Sequence, residues 1–142
     1  MQVDENVREA VDKLFESAVP NISDVLGITF ELLSRNEVVA TMPVDGRTHQ
    51  PFGILHGGAS VVLAETVCSV AGYLNVDYKT QAAVGLEINA NHVRPVRSGI
   101  VRATARPLHK GASTQLWDIR ITDERGRLVC VSRCTLAVIK KK

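Results

Sequence analysis

HGGASVVLAETVCSVAGYL, His56 to Leu74, carries a single formally charged side chain, Glu65, near its middle. A Gly-Gly start followed by Ala, Val, Leu and small polar residues predicts a long helix ending near Asn75. Such a helix is apolar nearly all round and therefore buried. Glu65 makes one polar point on it, with Thr66 beside it and Ser69 one turn later. An isolated Glu often marks a solvated helix face, and charged flanks would support that reading. None occur between Gly57 and Val76. A carboxylate among Val and Leu must pair, take up a proton, or serve as a base or nucleophile.

Outward from the helix the pattern changes to period two. Gly27 to Leu33 and Glu37 to Val44 read as strands joined by Ser34-Arg35-Asn36, with Pro43 closing the second. Ala82 to Val96, Gly99 to Leu108, Ser113 to Thr122 and Leu128 to Ile139 read as four more, joined by links short enough for antiparallel neighbours. Within the first of these, Leu86, Ile88, Ala90, His92 and Arg94 share one face, which puts His92 on the core-facing side near the strand's end. A helical spacing from Val3 to Ala18, stopped by Pro20, predicts a short amphipathic lead-in. The expected fold class is α+β: one antiparallel sheet of about six strands wrapped around one long central helix, with a short N-terminal helix.

The 142 residues suit a single domain, 1–142, with a helical lead-in over 1–20 and a core over 27–139. With 45% hydrophobic and 23% charged residues the composition is that of a globular chain. No apolar run reaches the ~20 residues of a membrane span, and the acidic N-terminus lacks the pattern of a secretory signal. A cytoplasmic protein with no membrane partner is expected. Cys68, Cys130 and Cys134 are an odd set. The last two, four apart on one strand, lie about 13 Å from each other, beyond disulfide reach. A net charge of +2 gives no ground for nucleic-acid binding. His49, His56, His92 and His109 show no metal-ligand spacing, so no metal is expected. There is no G-x-S-x-G elbow and no glycine-rich phosphate loop.

The loop before the helix completes a plausible reaction centre. A Gly-Gly helix start presents unpaired N–H groups and the positive end of the helix dipole to an oxyanion, and Gln50 and His56 add donors on the same approach. Gly57 and Glu65 lie about 12 Å apart at 1.5 Å per residue, so one carbonyl cannot touch both within one chain. If both serve the same carbonyl, two copies must pair with their helices antiparallel, building two composite sites. From Asn89 to Trp117 there is no acid, yet Arg94, Arg97, Arg102, Arg106 and Lys110 all fall there, a candidate basic rim for a phosphorylated ligand.

The segments TMPVDGRTHQPFGILHGGASVVLAETVCSVAGYL, VGLEINANHVRPV and DERGRLVCVSRCTLAVI resemble the hotdog-fold acyl-CoA thioesterases, over about Gly27 to Ile139. The nearest likeness is to the branch hydrolysing 1,4-dihydroxy-2-naphthoyl-CoA in menaquinone biosynthesis and to its paralogue, the proofreading thioesterase of siderophore synthesis. The resemblance implies that Glu65 attacks the thioester or activates water, while the Gly57 N–H polarises the carbonyl with help from Gln50 and His56. It implies substrate contacts at His92, Thr66, Ser69, Val84 and Gly85, and coenzyme A contacts at His109, Lys110, Gly111, Ser113 and Thr114. It also implies a homo-oligomer, a dimer of dimers, acting on a small acyl-CoA. No cofactor is implied, coenzyme A being part of the substrate. A proofreading or broad-specificity aryl or fatty acyl-CoA thioesterase, and a non-catalytic acyl-CoA-binding protein, are the alternatives.

Overall fold

The structure, a computed structural model, describes residues 1–17 and 19–142. Its centre is α3, Gly57–Tyr73, which lies against a seven-stranded sheet. The strands are β1 (Gln2–Val3), β2 (Thr29–Leu33), β3 (Val38–Pro43), β4 (Gln81–His92), β5 (Ile100–Lys110), β6 (Thr114–Thr122) and β7 (Leu128–Lys140). Two short helices, α1 (Arg8–Leu14) and α2 (Ile22–Leu26), precede β2.

Leu63, Ala64, Val67, Cys68 and Ala71 of α3 are buried, together with Trp117, Ile119, Ile121, Cys130, Cys134 and Leu136 of β6 and β7. Each large aliphatic or aromatic side chain buried in this way contributes about 1.5–3 kcal/mol. The helix comes close to the sheet because residue 72 is glycine: a Cβ there would run into Leu136 of β7. All three cysteines are buried free thiols. The Cys134 hydrogen bond, then burial, raises the pKa of Cys68, which suits a packing role.

The sheet order is β1-β2-β3-β5-β6-β7-β4. Three expectations are corrected here. First, the link through Arg97-Ser98 does not join neighbours: β4 pairs only with β7 and forms an edge, while β5 pairs with β3 and β6. Second, the lead-in is not one helix from Val3. Gln2–Val3 pairs parallel with β2, a 3-10 turn follows at Glu5–Val7, and α-helix spans only Arg8–Leu14. Phe15 sets its ring edge-on to Phe30, 5.8 Å between centroids, and the predicted helix end at Ala18 lies outside the described residues. Third, α2 was not anticipated. Asn21 caps it by accepting from the Ser23 N–H (2.9 Å) and donating its own N–H to Asp24 (2.8 Å), and Gly27 ends it at φ 72°.

The uncovered face of α3 decides the rest. Gly58, Glu65 and Ser69 are exposed in the single chain, with Val61, Val62 and Thr66 half-buried around them. The expectation of a helix buried all round therefore fails along one stripe, because no element among the described residues crosses it. Alongside runs the unpaired edge of β4, where Leu86 is 61% exposed. Leu86 was expected to face the core, but a bulge between Gly85 and Glu87 turns it outward.

Candidate active site

Residues 44–56 form a loop pinned from within and without. Asp45 accepts from the Arg47 side chain (2.7 Å) and backbone (2.9 Å). The Arg47 hydrogen bonds hold the Asp45 carboxyl down at about 2. The Asp45 carbonyl accepts from Thr48 and His49, and the N–H groups of Leu55 and His56 reach the carbonyls of Val96 and Thr48, 2.8 Å each. Gln50 to Gly53 make a tight turn, with the Gly53 N–H donating to the Gln50 carbonyl (3.0 Å) and Gly53 at φ 78°. The Gln50 Oε1 accepts from the Phe52 N–H, and Gln50 lines the adjoining cleft.

That cleft, about 370 Å³, is lined by Gln50, Ile54, Gly57, Ser60, His92 and Arg94, among others. At its floor α3 begins. His56 is the N-cap, its Nδ1 accepting from the Gly58 N–H at 2.8 Å. An accepting Nδ1 leaves Nε2 as the donor of the ring. The Ala59 and Ser60 N–H groups both turn back to the His56 carbonyl. Among the described residues the Gly57 N–H has no acceptor. It is a free donor at the positive end of a 17-residue helix. The imidazole of His92 closes over it: a Cβ on Gly57 would sit 2.9 Å from His92 Nε2.

The structure thus brings Gln50, Gly57 and His92 together, with His56 shaping the helix start from behind. His92 keeps the parity of Ile88 and Ala90 toward α3, yet it is exposed, because cover stops at the strand's end. Sequence reasoning missed Ser60, which is buried and lines the same cleft; its signal was the i+3 spacing from Gly57.

Glu65 stands apart. Its carboxylate is exposed, has no hydrogen-bond or ion-pair partner among the described residues, and lies over Gly85, with Oε1 3.3 Å from where a Cβ would be. Val84 and Ser69 are exposed nearby. Thr66 does not join this spot: its hydroxyl donates to the Val62 carbonyl (2.6 Å), and it lines a separate groove of about 440 Å³ with Phe15, Phe30 and Val70. The 111–114 turn lies at the Val84 end of the sheet, since Thr114 and Val84 both pair with Ala137. Within it the Gly111 N–H donates to Thr114 and the Ser113 carbonyl accepts from Val138. His109 is exposed, while Lys110 is held by Asn36 (2.7 Å) and Asn75 (3.2 Å). No cluster of metal-ligating side chains occurs among the described residues, and no helix is long and apolar enough to cross a membrane.

A family model described as the thioesterase superfamily matches residues 52–130, the segment running from the Gln50 turn through α3, β4, β5 and β6 into β7. The chain belongs to the thioesterase superfamily. It is 57% identical over 119 residues to the 1,4-dihydroxy-2-naphthoyl-CoA hydrolase of Escherichia coli, covering 84% of this chain and 87% of that one. A mutant of the thioesterase PA1618 from Pseudomonas aeruginosa has a solved structure of TM-score 0.84 at 48% identity, spanning 97% of this chain and 95% of that one. The thioesterase SAV0944 of Staphylococcus aureus matches with TM-score 0.81 at 38% identity, over 82% of this chain and 97% of that one. The helix and sheet described above are the hotdog thioesterase fold, and the chain is an enzyme of the thioester hydrolase class.

Proposed function

We propose that this thioesterase hydrolyses an aromatic acyl-CoA, with 1,4-dihydroxy-2-naphthoyl-CoA of menaquinone biosynthesis as its substrate, at a site shared by two copies of the chain. One observation carries the reading: a free Gly57 N–H and an unpartnered Glu65 lie eight residues apart on one rigid helix. In a twofold pair with antiparallel helices, the thioester oxygen accepts from Gly57 of one copy while Glu65 of the other faces the carbonyl carbon. Glu65 either attacks that carbon, to give an anhydride that water opens, or takes a proton from the attacking water. Either route consumes one water and releases a carboxylic acid and the coenzyme A thiol. Gln50 and His92 orient the carbonyl.

Three further features support it. The uncovered stripe of α3 and the free edge of β4, with Val84 and Leu86 40 and 61% exposed, form a surface that a second copy would cover. The Phe15, Phe30, Thr66 and Val70 groove begins one residue from Glu65 and offers aromatic walls for a ring system. Solved structures of SAV0944 carry alanine in place of a glutamine and of a glutamate fifteen residues apart, the spacing of Gln50 and Glu65.

Subunit complementation tests the shared site. Glu65→Ala and Gly57→Pro are each expected to be inactive, the second because proline is tolerated at the first helical position yet has no N–H. Exchanged together, they form mixed pairs with one intact site, restoring about a quarter of wild-type thiol release. No restoration, with exchange verified by mass spectrometry, overturns the two-copy reading. The substrate is tested by kcat/KM for the naphthoyl thioester against benzoyl- and palmitoyl-CoA; a preference for palmitoyl-CoA overturns it.

A further inference from the structure

The loop that carries Gln50 ends in a small hairpin. His49 and Leu55 face each other as a single antiparallel bridge, and the Gln50 N–H donates to the Ile54 carbonyl at 2.9 Å as the next rung. Beyond that rung the tip turns through Pro51, Phe52 and Gly53, all exposed, with Phe52 85% so. An exposed tip has little packing of its own to fix its direction, which it therefore inherits from its base. Gln50 is the first residue past that base.

The base is tied to the other wall of the cleft. The Leu55 N–H donates to the Val96 carbonyl (2.8 Å), and His49 Nε2 lies 2.9 Å from the Arg97 carbonyl. A carbonyl only accepts, so Nε2 carries the proton and donates. Among the described residues His49 is the one side chain of the loop whose hydrogen bond leaves residues 43–56. Asp45 and Arg47 bond each other, Thr48 donates to Pro43, Gln50 accepts from Phe52, and His56 accepts from Gly58. The segment that His49 grips, 93–99, links His92 at the end of β4 to β5 and is exposed except for Val96. One hydrogen bond would leave the hairpin free to pivot about it. A second, one residue along, removes that rotation.

Resting on the thioesterase reading, we infer that His49 is the positioning residue for Gln50. It acts through Gln50 rather than on the substrate. By gripping the Arg97 carbonyl it sets the hairpin against the wall that carries His92, so that the Gln50 amide and the His92 imidazole meet the thioester at one fixed separation. Without the grip the Leu55 bond remains, and the hairpin swings about it. A displacement of 1 Å at a reacting group costs up to about 100-fold. Gln50 is one of several groups on the carbonyl, so the loss expected here is about tenfold in kcat.

The test is a double-variant cycle on thiol release from benzoyl-CoA, with His49→Ala, Gln50→Ala and the two combined. His49→Ala is expected to lower kcat about tenfold with KM within about twofold of wild type, and to add less than about twofold once Gln50 is replaced. His49→Gln, whose amide nitrogen reaches about as far as Nε2, recovers most of kcat, and His49→Leu does not. A role confined to stability would give none of this pattern. Hydrogen exchange followed by mass spectrometry supplies a readout without turnover: amides of residues 50–54 exchange faster in His49→Ala and regain protection in His49→Gln. The inference is overturned by a full tenfold loss from His49→Ala in the Gln50→Ala background, by kcat within twofold of wild type, or by unchanged exchange. If wild-type protein released no thiol, the thioesterase reading alone would fall, and the exchange data would still decide whether His49 holds the hairpin.

Discussion

Two substitutions at Gly57 separate what its missing side chain does from what its N–H does. A Cβ there would lie 2.9 Å from His92 Nε2, 3.1 Å from Cε1 and 3.2 Å from Cδ2. Ordinary contact needs about 3.5 Å, so in Gly57→Ala the ring must retreat by roughly 0.6 Å. His92 is exposed at a strand end and can give way, and alanine improves helix propensity, so the melting temperature should hold within a few degrees. A displacement approaching 1 Å costs up to about 100-fold where it disturbs alignment of reacting atoms, and a drop in kcat of about 10-fold is expected here. Gly57→Pro adds the same Cβ and also deletes the N–H. His56, at φ −67° and ψ 129°, already has the extended backbone that a following proline requires. The loss of an oxyanion donor costs a further 10²–10³ in kcat, or about 3–4 kcal/mol of transition-state stabilisation. Thiol release followed with a chromogenic disulfide gives both numbers, and circular dichroism with thermal melting checks the helix start. If the proline variant, still folded, turns over as fast as the alanine variant, the Gly57 N–H is not the oxyanion donor.

Glu65→Ala should lower thiol release by at least 10³-fold while circular dichroism and melting stay close to wild type, since the exposed carboxylate has no hydrogen-bond or ion-pair partner among the described residues; near-normal turnover removes it from the mechanism. His56→Ala should cost about 1 kcal/mol, lowering the melting temperature by roughly 2–4 °C, with His56→Asn recovering most of it; an unchanged melt for both would show that the cap contributes nothing. Asp45 has its carboxyl held at about 2 by Arg47, below its ordinary 3.8, so the loop's contribution is complete above that ordinary value and is lost as pH falls toward 2. A carbon-detected NMR titration should find the low midpoint, and Arg47→Ala should return it toward 3.8. Leu86→Glu, placed on the free edge of β4, should shift the sedimentation coefficient to that of a single chain and abolish turnover together; an active single chain refutes the shared site.

The central helix could be read directly because a Gly-Gly start and an uninterrupted apolar run leave few other structures possible. Strands β5, β6 and β7 showed through their alternation. The misplaced features each depended on something outside their own segment. Leu86 faces outward because a bulge adds a residue between Gly85 and Glu87, which shifts parity without altering composition. The edge position of β4 is a matter of pairing, and a short link to β5 does not specify it. The two-residue β1 is too short to leave a period. At the site, the joining of Gln50 and Gly57 followed from their nearness in sequence. That Thr66 turns away from Glu65 followed from its bond back to Val62. Ser60 was hidden by its small size in an apolar run.

The spacing of Gly57 and Glu65 on α3 also bears on how catalytic power depends on abundance. A donor and an acid fixed about 12 Å apart on one stiff rod cannot be brought together by flexing, so under the proposed shared site a solitary chain is half an enzyme. That proposal predicts that specific activity falls on dilution, with a midpoint equal to the dissociation constant of the pair. It also predicts that newly made chains leave thioesters intact until they meet a mate. By the same proposal, an acid-deficient copy co-produced in a cell disables one centre of every mixed pair while leaving its companion's centre working.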